Sequence, residues 1–171
     1  MHTAESLQTY LKQLNIAYTT HTHQPVFTVE ESLSLIESQP GTHVKNLFLR
    51  DKKKTALWLI TIRHDKKVDL KSLKDTLGAN GNLSFCNADI LWEKLGVKPG
   101  AVTPLAAIND TENHVTVVLD EDILQGSLVN AHPLQNDMTT ALSPQDLLKF
   151  LQEVQHTPTI ITIPEKQAEA A

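Results

Sequence analysis

Three features of the sequence have residue types and spacing suited to binding a phosphate or a carbonyl group. Lys45 lies just before the apolar run Leu47-Phe48-Leu49, where a sheltered ammonium group would interact strongly with an anion or a developing oxyanion. Residues 100–104 (Gly-Ala-Val-Thr-Pro), called the 100–104 loop below, can aim backbone N–H groups at a carbonyl oxygen, because glycine allows close approach and proline fixes the exit direction. His132 follows a predicted strand and could orient a substrate. Each feature also has a structural interpretation: a snorkelling lysine, a tight connection and a histidine bonded to a buried carbonyl.

The sequence lacks the usual signatures of a catalytic nucleophile or a metalloenzyme. No G-x-S-x-G, S-x-x-K or H-E-x-x-H motif occurs. The single cysteine, Cys86, excludes an internal disulfide and a cysteine-rich zinc site, and its place in a predicted strand indicates a small buried side chain. His21 and His23 would share one face of a strand, but no carboxylate or third histidine stands at ligand spacing. We therefore expect surface or site-lining imidazoles and no metal site.

The length and composition are typical of one globular domain. The chain has 171 residues, of which 40% are hydrophobic, enough to bury a core without disulfides or metals. We predict a single domain over residues 1–163 and a disordered tail over residues 164–171, which have no core-facing pattern. No apolar run approaches the roughly 18 residues of a membrane helix, and no secretory signal pattern begins the chain. The expected location is the cytoplasm, without membrane association.

Basic residues are concentrated in one part of a chain whose net charge is −5. Residues 45–74 contain ten Lys or Arg and three Asp, which gives a local charge of +7. The turn between two predicted strands contributes Lys52, Lys53 and Lys54, and Arg50 lies just before it. Such asymmetry can direct a polyanion to one face of a protein, although a solvated hairpin and a solvated helix would give the same count.

Hydrophobic periodicity and capping residues predict short strands alternating with short helices. The predicted helices cover residues 3–15, a segment after Pro25, and residues 69–77, 88–95 and 143–154, with one helical turn at 120–124. The predicted strands cover residues 18–23, 45–50, 55–63, 83–85, 115–119 and 127–132. Because the clear strand connection is a hairpin at residues 51–54, we predict an α+β fold with a mixed, mainly antiparallel sheet. No Gly-rich phosphate loop follows a strand, which disfavours a doubly wound nucleotide-binding fold.

Five runs of sequence, taken together, carry a resemblance to a known family. Over about residues 3 to 155 the chain resembles the free-standing editing deacylases of the YbaK and prolyl-tRNA synthetase insertion-domain superfamily, and it is most similar to the ProXp-ala (PrdX) branch. The resemblance implies an α+β fold with a barrel-like sheet flanked by short helices. The runs are Pro25-Val26-Phe27-Thr28-Val29-Glu30-Glu31, Lys45-Asn46-Leu47-Phe48-Leu49-Arg50-Asp51-Lys52-Lys53, the 100–104 loop, Ile108-Asn109-Asp110 and Asn130-Ala131-His132-Pro133-Leu134.

The resemblance also implies an activity, namely hydrolysis of the ester that joins a wrong amino acid, here alanine, to tRNA(Pro). It implies no metal, no cofactor and no enzyme nucleophile. Lys45 would be the essential lysine. The aminoacyl carbonyl would be surrounded by Gly100, Ala101, Val102 and Pro104, and the positions matching the substrate site are Asn46, Thr103 and His132.

Selectivity for alanine over proline is predicted to be a size filter, because a tight pocket rejects bulk. Val29 and Leu33 on the second helix are candidates for its wall, and ordinary core packing is the alternative for both. The phosphates of the tRNA acceptor stem are expected to meet Arg50, Lys52, Lys53 and Lys54.

The expected partner is mischarged tRNA(Pro), with prolyl-tRNA synthetase and elongation factor Tu as further candidates and without DNA. Two alternatives stay open at this point. One is a deacylase of the same superfamily that removes cysteine or another small amino acid, and the other is a non-catalytic tRNA- or synthetase-binding module.

Overall fold

The computed structural model describes residues 1–25 and 29–167, which form one eight-stranded sheet with short helices packed against it. The helices are α1 (Ala4–Gln13), α2 (Val29–Ser38), α3 (Leu70–Leu77), α4 (Ala88–Leu95) and α5 (Pro144–Glu153), and two 3₁₀ helices cover Pro104–Asn109 and Glu121–Leu124. The strands are β1 (Tyr18–Thr22), β2 (Thr42–Arg50), β3 (Leu57–Arg63), β4 (Ser84–Phe85), β5 (Val115–Asp120), β6 (Val129–Ala131), β7 (Met138–Leu142) and β8 (Thr159–Ile161).

The sheet is mixed, with strand order β1-β7-β6-β2-β3-β5-β8 and β4 added beside β2. Strands β1 and β7, β7 and β6, β2 and β3, and β2 and β4 pair antiparallel. The parallel pairs are β2 with β6, β3 with β5 and β5 with β8. The predicted α+β class with a mixed sheet is therefore confirmed, and antiparallel pairs are in the majority.

The helices begin where local side chains satisfy their free N–H groups. Thr3 Oγ1 accepts from the Ser6 amide at 3.2 Å, and Asn87 Oδ1 accepts from the Ile90 amide at 2.9 Å. Ser143 caps α5 with proline at the first helical position, as predicted. Gly78 ends α3 with a φ of +66°, a backbone conformation that glycine adopts without strain. The helix predicted after Pro25 is α2, and residues 26–28 before it lie outside the described residues.

Strands β2 and β3 divide the apolar interior into two clusters because successive side chains point to opposite faces. Phe48 and Leu59 belong to the larger cluster, which also contains the buried faces of α1, α4 and α5. Leu49 and Trp58 belong to the smaller cluster, which packs against Leu73 of α3. Both faces of the pair β2 and β3 are therefore covered by an apolar cluster. The position of a residue in β2 decides which of the two clusters its side chain faces.

Strands β7 and β8 and the 3₁₀ helix Pro104–Asn109 were not predicted. The chain beyond Ile161 also continues to pair with the body of the protein. Glu165 forms an isolated antiparallel bridge with Val68, and the Lys166 amide donates to the Lys67 carbonyl at 2.8 Å. Ordered pairing thus extends past the predicted end of the domain at residue 163, and residues 168–171 lie outside the described part. No helix in the described ranges is long and apolar enough to cross a membrane.

Candidate functional site

A gap in the sheet lies along one edge of β2. β3 pairs with β2 on one side over residues 44–50. On the other side, β6 pairs only with Thr42 and His43, and β4 only with Leu49 and Arg50. Residues 44–47 have no strand partner on that edge within the described chain. Two predicted site residues, Lys45 and Asn46, lie in this gap.

The side chain of Asn46 reaches from this gap to the 100–104 loop. Asn46 Nδ2 donates a hydrogen bond to the Val102 carbonyl at 2.8 Å, and Asn46 Oδ1 accepts from the hydroxyl of Thr61 at 2.6 Å. Asn46 and Thr61 are direct partners in the register of β2 and β3. The structure therefore joins two parts of the predicted site that are 56 residues apart in the sequence.

The 100–104 loop is held at both ends by hydrogen bonds to neighbouring residues of the chain. The Ala101 amide donates to the Lys98 carbonyl at 3.0 Å, and Thr103 Oγ1 accepts from the Leu105 amide at 3.3 Å. Pro104 is the first residue of a 3₁₀ helix, so the loop ends in a helical turn. Gly100 has a φ of +93°, which favours glycine, and a Cβ there would meet only Asn136 Nδ2, at 3.5 Å. Gly100 therefore borders open space.

Lys45 is half-buried and lies on the other face of β2 from Asn46. That face also carries Leu47 and Leu49, which pack in the smaller cluster. The ammonium group makes no hydrogen bond or ion pair with any described residue. Lys45 and the 100–104 loop therefore lie toward opposite faces of β2, on either side of the gap in the sheet.

His132 presents one ring nitrogen for binding. His132 Nδ1 lies 2.7 Å from the Met138 carbonyl, so it carries the proton and leaves Nε2 of the neutral ring as an acceptor. Burial lowers the pKa of His132 below its usual value, and the hydrogen bond to the Met138 carbonyl partly opposes this effect. Electrostatic repulsion from His23 lowers the pKa of His132 further, and the charge of Asp137 raises it. The ring centroids of His23 and His132 are 6.3 Å apart.

His23 is the partner of His132 that the sequence did not reveal. Its Nδ1 lies 2.7 Å from the Gln24 carbonyl, and its Nε2 lies 2.8 Å from the hydroxyl of the buried Thr139. The sequence offered one signal, the alternating histidines His21 and His23, which predicted surface or site-lining imidazoles without indicating a neighbour.

An open cleft of about 820 Å³ separates His23 from one face of α2. Leu33, predicted as part of a pocket wall, does not line this cleft and is 48% exposed. The side chain of Val29 and all of residues 26–28 lie outside the described residues. The assignment of Val29 and Leu33 to a pocket wall therefore stays a prediction. The α2 residues that line the cleft are Glu31, Ser34, Leu35 and Ser38.

A buried histidine ties the end of α2 to β2. His43 Nε2 lies 2.9 Å from the carbonyl of Gln39, which directly follows α2. Burial lowers the pKa of His43, which favours its neutral form. α2 is thus attached at its C-terminal end to the strand that carries Lys45.

The hairpin tip presents its lysines to solvent. Lys52, Lys53 and Lys54 are exposed, and Arg50 is half-buried. The turn closes through a 3.1 Å bond from the Lys54 amide to the Asp51 carbonyl. The buried carboxylate of Asp51 accepts from the Thr55 amide at 2.8 Å and from the Thr55 hydroxyl at 2.6 Å, which lowers the pKa of Asp51.

Two of the ten basic residues counted in this region are neutralised by neighbouring acids. The ammonium of Lys66 pairs with Asp120 at 2.5 Å, and both side chains are almost completely buried. Arg63 pairs with Asp65 at 3.1 Å and with Asp122 at 3.6 Å. Asp65 is already included in the count of +7, whereas Asp120 and Asp122 are not, so the positive surface is smaller than that count indicates. The hairpin tip is its densest exposed part.

The described residues contain neither an activated cysteine nor a cluster of metal ligands. Burial raises the pKa of Cys86 to about 11, so its thiol is protonated at neutral pH, as expected for a filler and not for a nucleophile. No group of three or more His, Cys, Asp or Glu side chains in residues 1–25 and 29–167 could hold a metal ion.

The run Ile108-Asn109-Asp110 also acts structurally. Asn109 Nδ2 donates to the Leu95 carbonyl at 2.9 Å, and Asp110 accepts from the Val115 amide at 2.7 Å. A further bond of 2.9 Å joins Asp110 to His156, and both side chains are buried. This run therefore supports the 3₁₀ helix that follows the 100–104 loop, without reaching the gap in the sheet itself.

The chain has relatives among known proteins. Residues 23–150 match the family model described as the aminoacyl-tRNA editing domain. The chain is 44% identical over 160 residues to prolyl-tRNA synthetase associated domain-containing protein 1 of Danio rerio, covering 92% of this chain and 86% of that protein. It is 40% identical over 141 residues to the prolyl-tRNA editing protein ProX of Acetoanaerobium sticklandii, covering 82% of this chain and 85% of that protein.

The fold is shared with solved structures of low sequence identity. A crystal structure described as a candidate trans-editing enzyme for prolyl tRNA synthetase superposes with a TM-score of 0.71 at 19% identity, covering 95% of this chain and 97% of that chain. The family match includes the gap in the sheet, the 100–104 loop and His132. The chain therefore belongs to the aminoacyl-tRNA editing domain family.

Proposed function

We propose that this chain is a trans-editing deacylase that hydrolyses mischarged tRNA(Pro), preferentially Ala-tRNA(Pro), without a metal ion. The names of its relatives support tRNA(Pro) as the substrate. The residues brought together at the gap in the sheet support ester hydrolysis as the reaction. The observation that carries the proposal is the hydrogen bond from Asn46 to the Val102 carbonyl, which brings the 100–104 loop to the strand position next to Lys45.

The reaction needs few catalytic groups because an aminoacyl ester is already activated. Water attacks the carbonyl carbon, negative charge develops on the carbonyl oxygen, and the bond to the ribose oxygen breaks to release the amino acid and a free ribose hydroxyl. Backbone N–H groups of the 100–104 loop stabilise the developing charge, and the neighbouring ribose hydroxyl orients the water. In this proposal Lys45 binds the phosphate of the terminal adenosine, and His132 Nε2 accepts a hydrogen bond from the substrate.

The binding of the tRNA body is proposed to use the hairpin tip. The lysines at residues 52–54 are exposed and unpaired within the described chain, so they are free to contact acceptor-stem phosphates together with Arg50. Prolyl-tRNA synthetase and elongation factor Tu are proposed as further partners, in the cytoplasm, since both bind the same tRNA. Val29 and Leu33 are proposed to exclude side chains larger than alanine.

Single-turnover deacylation of Ala-, Cys-, Ser- and Pro-tRNA(Pro) tests the proposal. We expect Ala-tRNA(Pro) to react fastest, Pro-tRNA(Pro) to persist, and a chelator to have no effect. Lys45→Ala should reduce the rate at least about a hundredfold, because the terminal adenosine is no longer held in a reactive position. Lys71→Ala is the matched control, since this exposed lysine of α3 lies away from the gap.

Each alternative gives a different outcome. Faster hydrolysis of Cys-tRNA(Pro) would move the preferred substrate to cysteine, and tRNA binding without turnover of any substrate would indicate a non-catalytic module. Near-normal activity of Lys45→Ala would contradict the assignment of this lysine.

A further inference from the structure

Thr61 is a completely buried polar residue in the middle of β3, between the buried apolar residues Ile60 and Ile62. A buried hydroxyl without a hydrogen-bond partner is destabilising, so a threonine at such a position needs a specific neighbour. The only side-chain bond of Thr61 in the described structure is the 2.6 Å contact with Asn46 Oδ1. In the sequence Thr61 merely interrupts an apolar run.

The hydrogen bonds around Asn46 determine which way its amide points. The Val102 carbonyl can only accept, so the group 2.8 Å away must be the NH₂ of Asn46. Asn46 Oδ1 then faces Thr61, and the hydroxyl of Thr61 must donate. Without this hydroxyl, Asn46 Oδ1 loses its donor, and the Val102 carbonyl alone holds the amide in place.

We propose that Thr61 is a positioning residue for the 100–104 loop and acts through Asn46. Its hydroxyl orients the amide, and the amide holds the Val102 carbonyl against β2. The effect of this role on catalysis rests on the proposed function, in which the loop surrounds an aminoacyl carbonyl. The positioning itself is a property of the free protein.

The position of one carbonyl matters because a peptide unit is planar. The Val102 carbonyl and the Thr103 N–H belong to the same trans peptide unit and point in opposite directions. The bond from Asn46 therefore also sets the direction of the Thr103 N–H. The anchors at Ala101 and Thr103 hold the ends of the loop, whereas Asn46 supplies the side-chain bond at its centre. Misorientation of this peptide unit would weaken stabilisation of the developing oxyanion.

Hydrogen exchange of the loop amides tests positioning in the absence of tRNA. Thr61→Val removes the hydroxyl and keeps the shape, and we expect exchange at residues 101–103 to accelerate about tenfold. Thr61→Ser keeps the hydroxyl, so the amides of residues 101–103 should exchange at the wild-type rate in this variant. Thr140→Val is the matched control, because Thr140 is equally buried and its hydroxyl bonds to Thr20 at 2.9 Å, remote from the loop. Unchanged exchange in Thr61→Val, or equal acceleration in Thr61→Ser, would overturn the proposal.

Single-turnover deacylation of Ala-tRNA(Pro) then tests the consequence for catalysis. In Thr61→Val the saturating rate should fall about tenfold, while the enzyme concentration for half-saturation stays the same because phosphate contacts are intact. Thr61→Ser should restore the rate. In an Asn46→Ala background, Thr61→Val should have no further effect, since both changes remove the same coupling. Additive losses would overturn the proposal. If no variant or wild type hydrolyses any substrate, the proposed function fails while the exchange result still decides the role of Thr61.

Discussion

The imidazole rings of His23 and His132 lie with centroids 6.3 Å apart and planes inclined by 48°. Each ring donates or accepts through a fixed neighbour: His132 through the Met138 carbonyl, and His23 through the Gln24 carbonyl and the hydroxyl of Thr139. Since two positive charges at this distance repel each other, protonation of one ring disfavours protonation of the other. The pair therefore keeps His132 neutral more effectively than burial alone.

Replacement of His23 by glutamine should raise the pKa of His132. Burial lowers this pKa first and the charge of His23 lowers it further, so removal of that charge moves it back toward the ordinary value of 6.5. The loss of deacylation activity on acidification should shift to higher pH by the same amount, because protonation removes the Nε2 acceptor. Side-chain NMR titration of His132 measures the first effect, and the pH profile of single-turnover rates measures the second.

A remote histidine provides the control for this titration. His114→Gln removes a ring that contacts Lys94 on another side of the protein, so it should leave the pKa of His132 unchanged. An unaltered pKa of His132 in His23→Gln would show that the two rings do not interact electrostatically.

Replacement of the three hairpin lysines by alanine should weaken binding of full-length tRNA(Pro) and flatten its salt dependence. Each lost phosphate contact reduces the slope of log K against log salt by about 0.7 to 0.9, so loss of Lys52, Lys53 and Lys54 should reduce it by about two to three. Deacylation of a minimal aminoacyl-adenosine substrate should change little. Filter binding at several salt concentrations gives the slope.

The matched control removes the same charge from other exposed positions. Lys12 of α1, Lys71 of α3 and Lys166, whose amide bonds to Lys67, are exposed and do not belong to the hairpin. Their triple replacement by alanine should leave the slope near that of the wild type. Equal slopes for the two triple variants would show that net charge, and not the hairpin tip, determines binding.

The two faces of α2 make different predictions about selectivity. Leu33 lies on one face and is 48% exposed, whereas Leu35 lines the cleft opposite His23. If the face carrying Leu33 forms the wall of the pocket, Leu33→Ala should admit larger aminoacyl groups and increase hydrolysis of Pro-tRNA(Pro) roughly tenfold. Leu35→Ala should leave the ratio of alanine to proline hydrolysis unchanged.

The opposite result would place the pocket on the other face of α2. An increase in Pro-tRNA(Pro) hydrolysis confined to Leu35→Ala would assign the size filter to the cleft face of α2. The measurement is the ratio of single-turnover rates for the two substrates, which corrects for any general loss of activity.

Local signals in the sequence predicted the helices well because a cap and its helix are neighbours in the chain. Thr3, Asn87 and Ser143 each accept the hydrogen bond that the capping pattern indicates. Strand β7 was not predicted because four of its five residues are buried, so its sequence has no alternation of polar and apolar residues. β8 has three residues and exists by pairing with β5, about 40 residues earlier in the chain.

The candidate site was predictable as a set of residues and not as an arrangement. The resemblance in the sequence indicated Lys45, Asn46 and the 100–104 loop. The alternation of side chains along a strand places Lys45 and Asn46 on opposite faces of β2, whereas only the sheet register shows that Thr61 is opposite Asn46. The hairpin was predicted without its register, which is why Thr61 was missed. His23 was named as a surface or site-lining imidazole, but its pairing with His132 joins distant parts of the chain and leaves no local pattern.

The buried pair of Lys66 and Asp120 makes a prediction about stability. The two side chains are 6% and 1% exposed, and Asp120 Oδ1 also accepts from the Ile163 amide at 3.2 Å. Lys66→Met leaves an uncompensated carboxylate in the interior and should lower the free energy of unfolding by about 3 to 5 kcal/mol. Lys66→Met combined with Asp120→Asn should recover part of this loss, because the amide oxygen still accepts from Ile163 and no buried charge remains.

Arg63→Met removes a solvent-exposed ion pair from the same segment and should cost less than about 1 kcal/mol. Urea unfolding of the four proteins measures these differences, and a loss below about 1 kcal/mol in Lys66→Met would mean that solvent or a structural shift reaches Asp120.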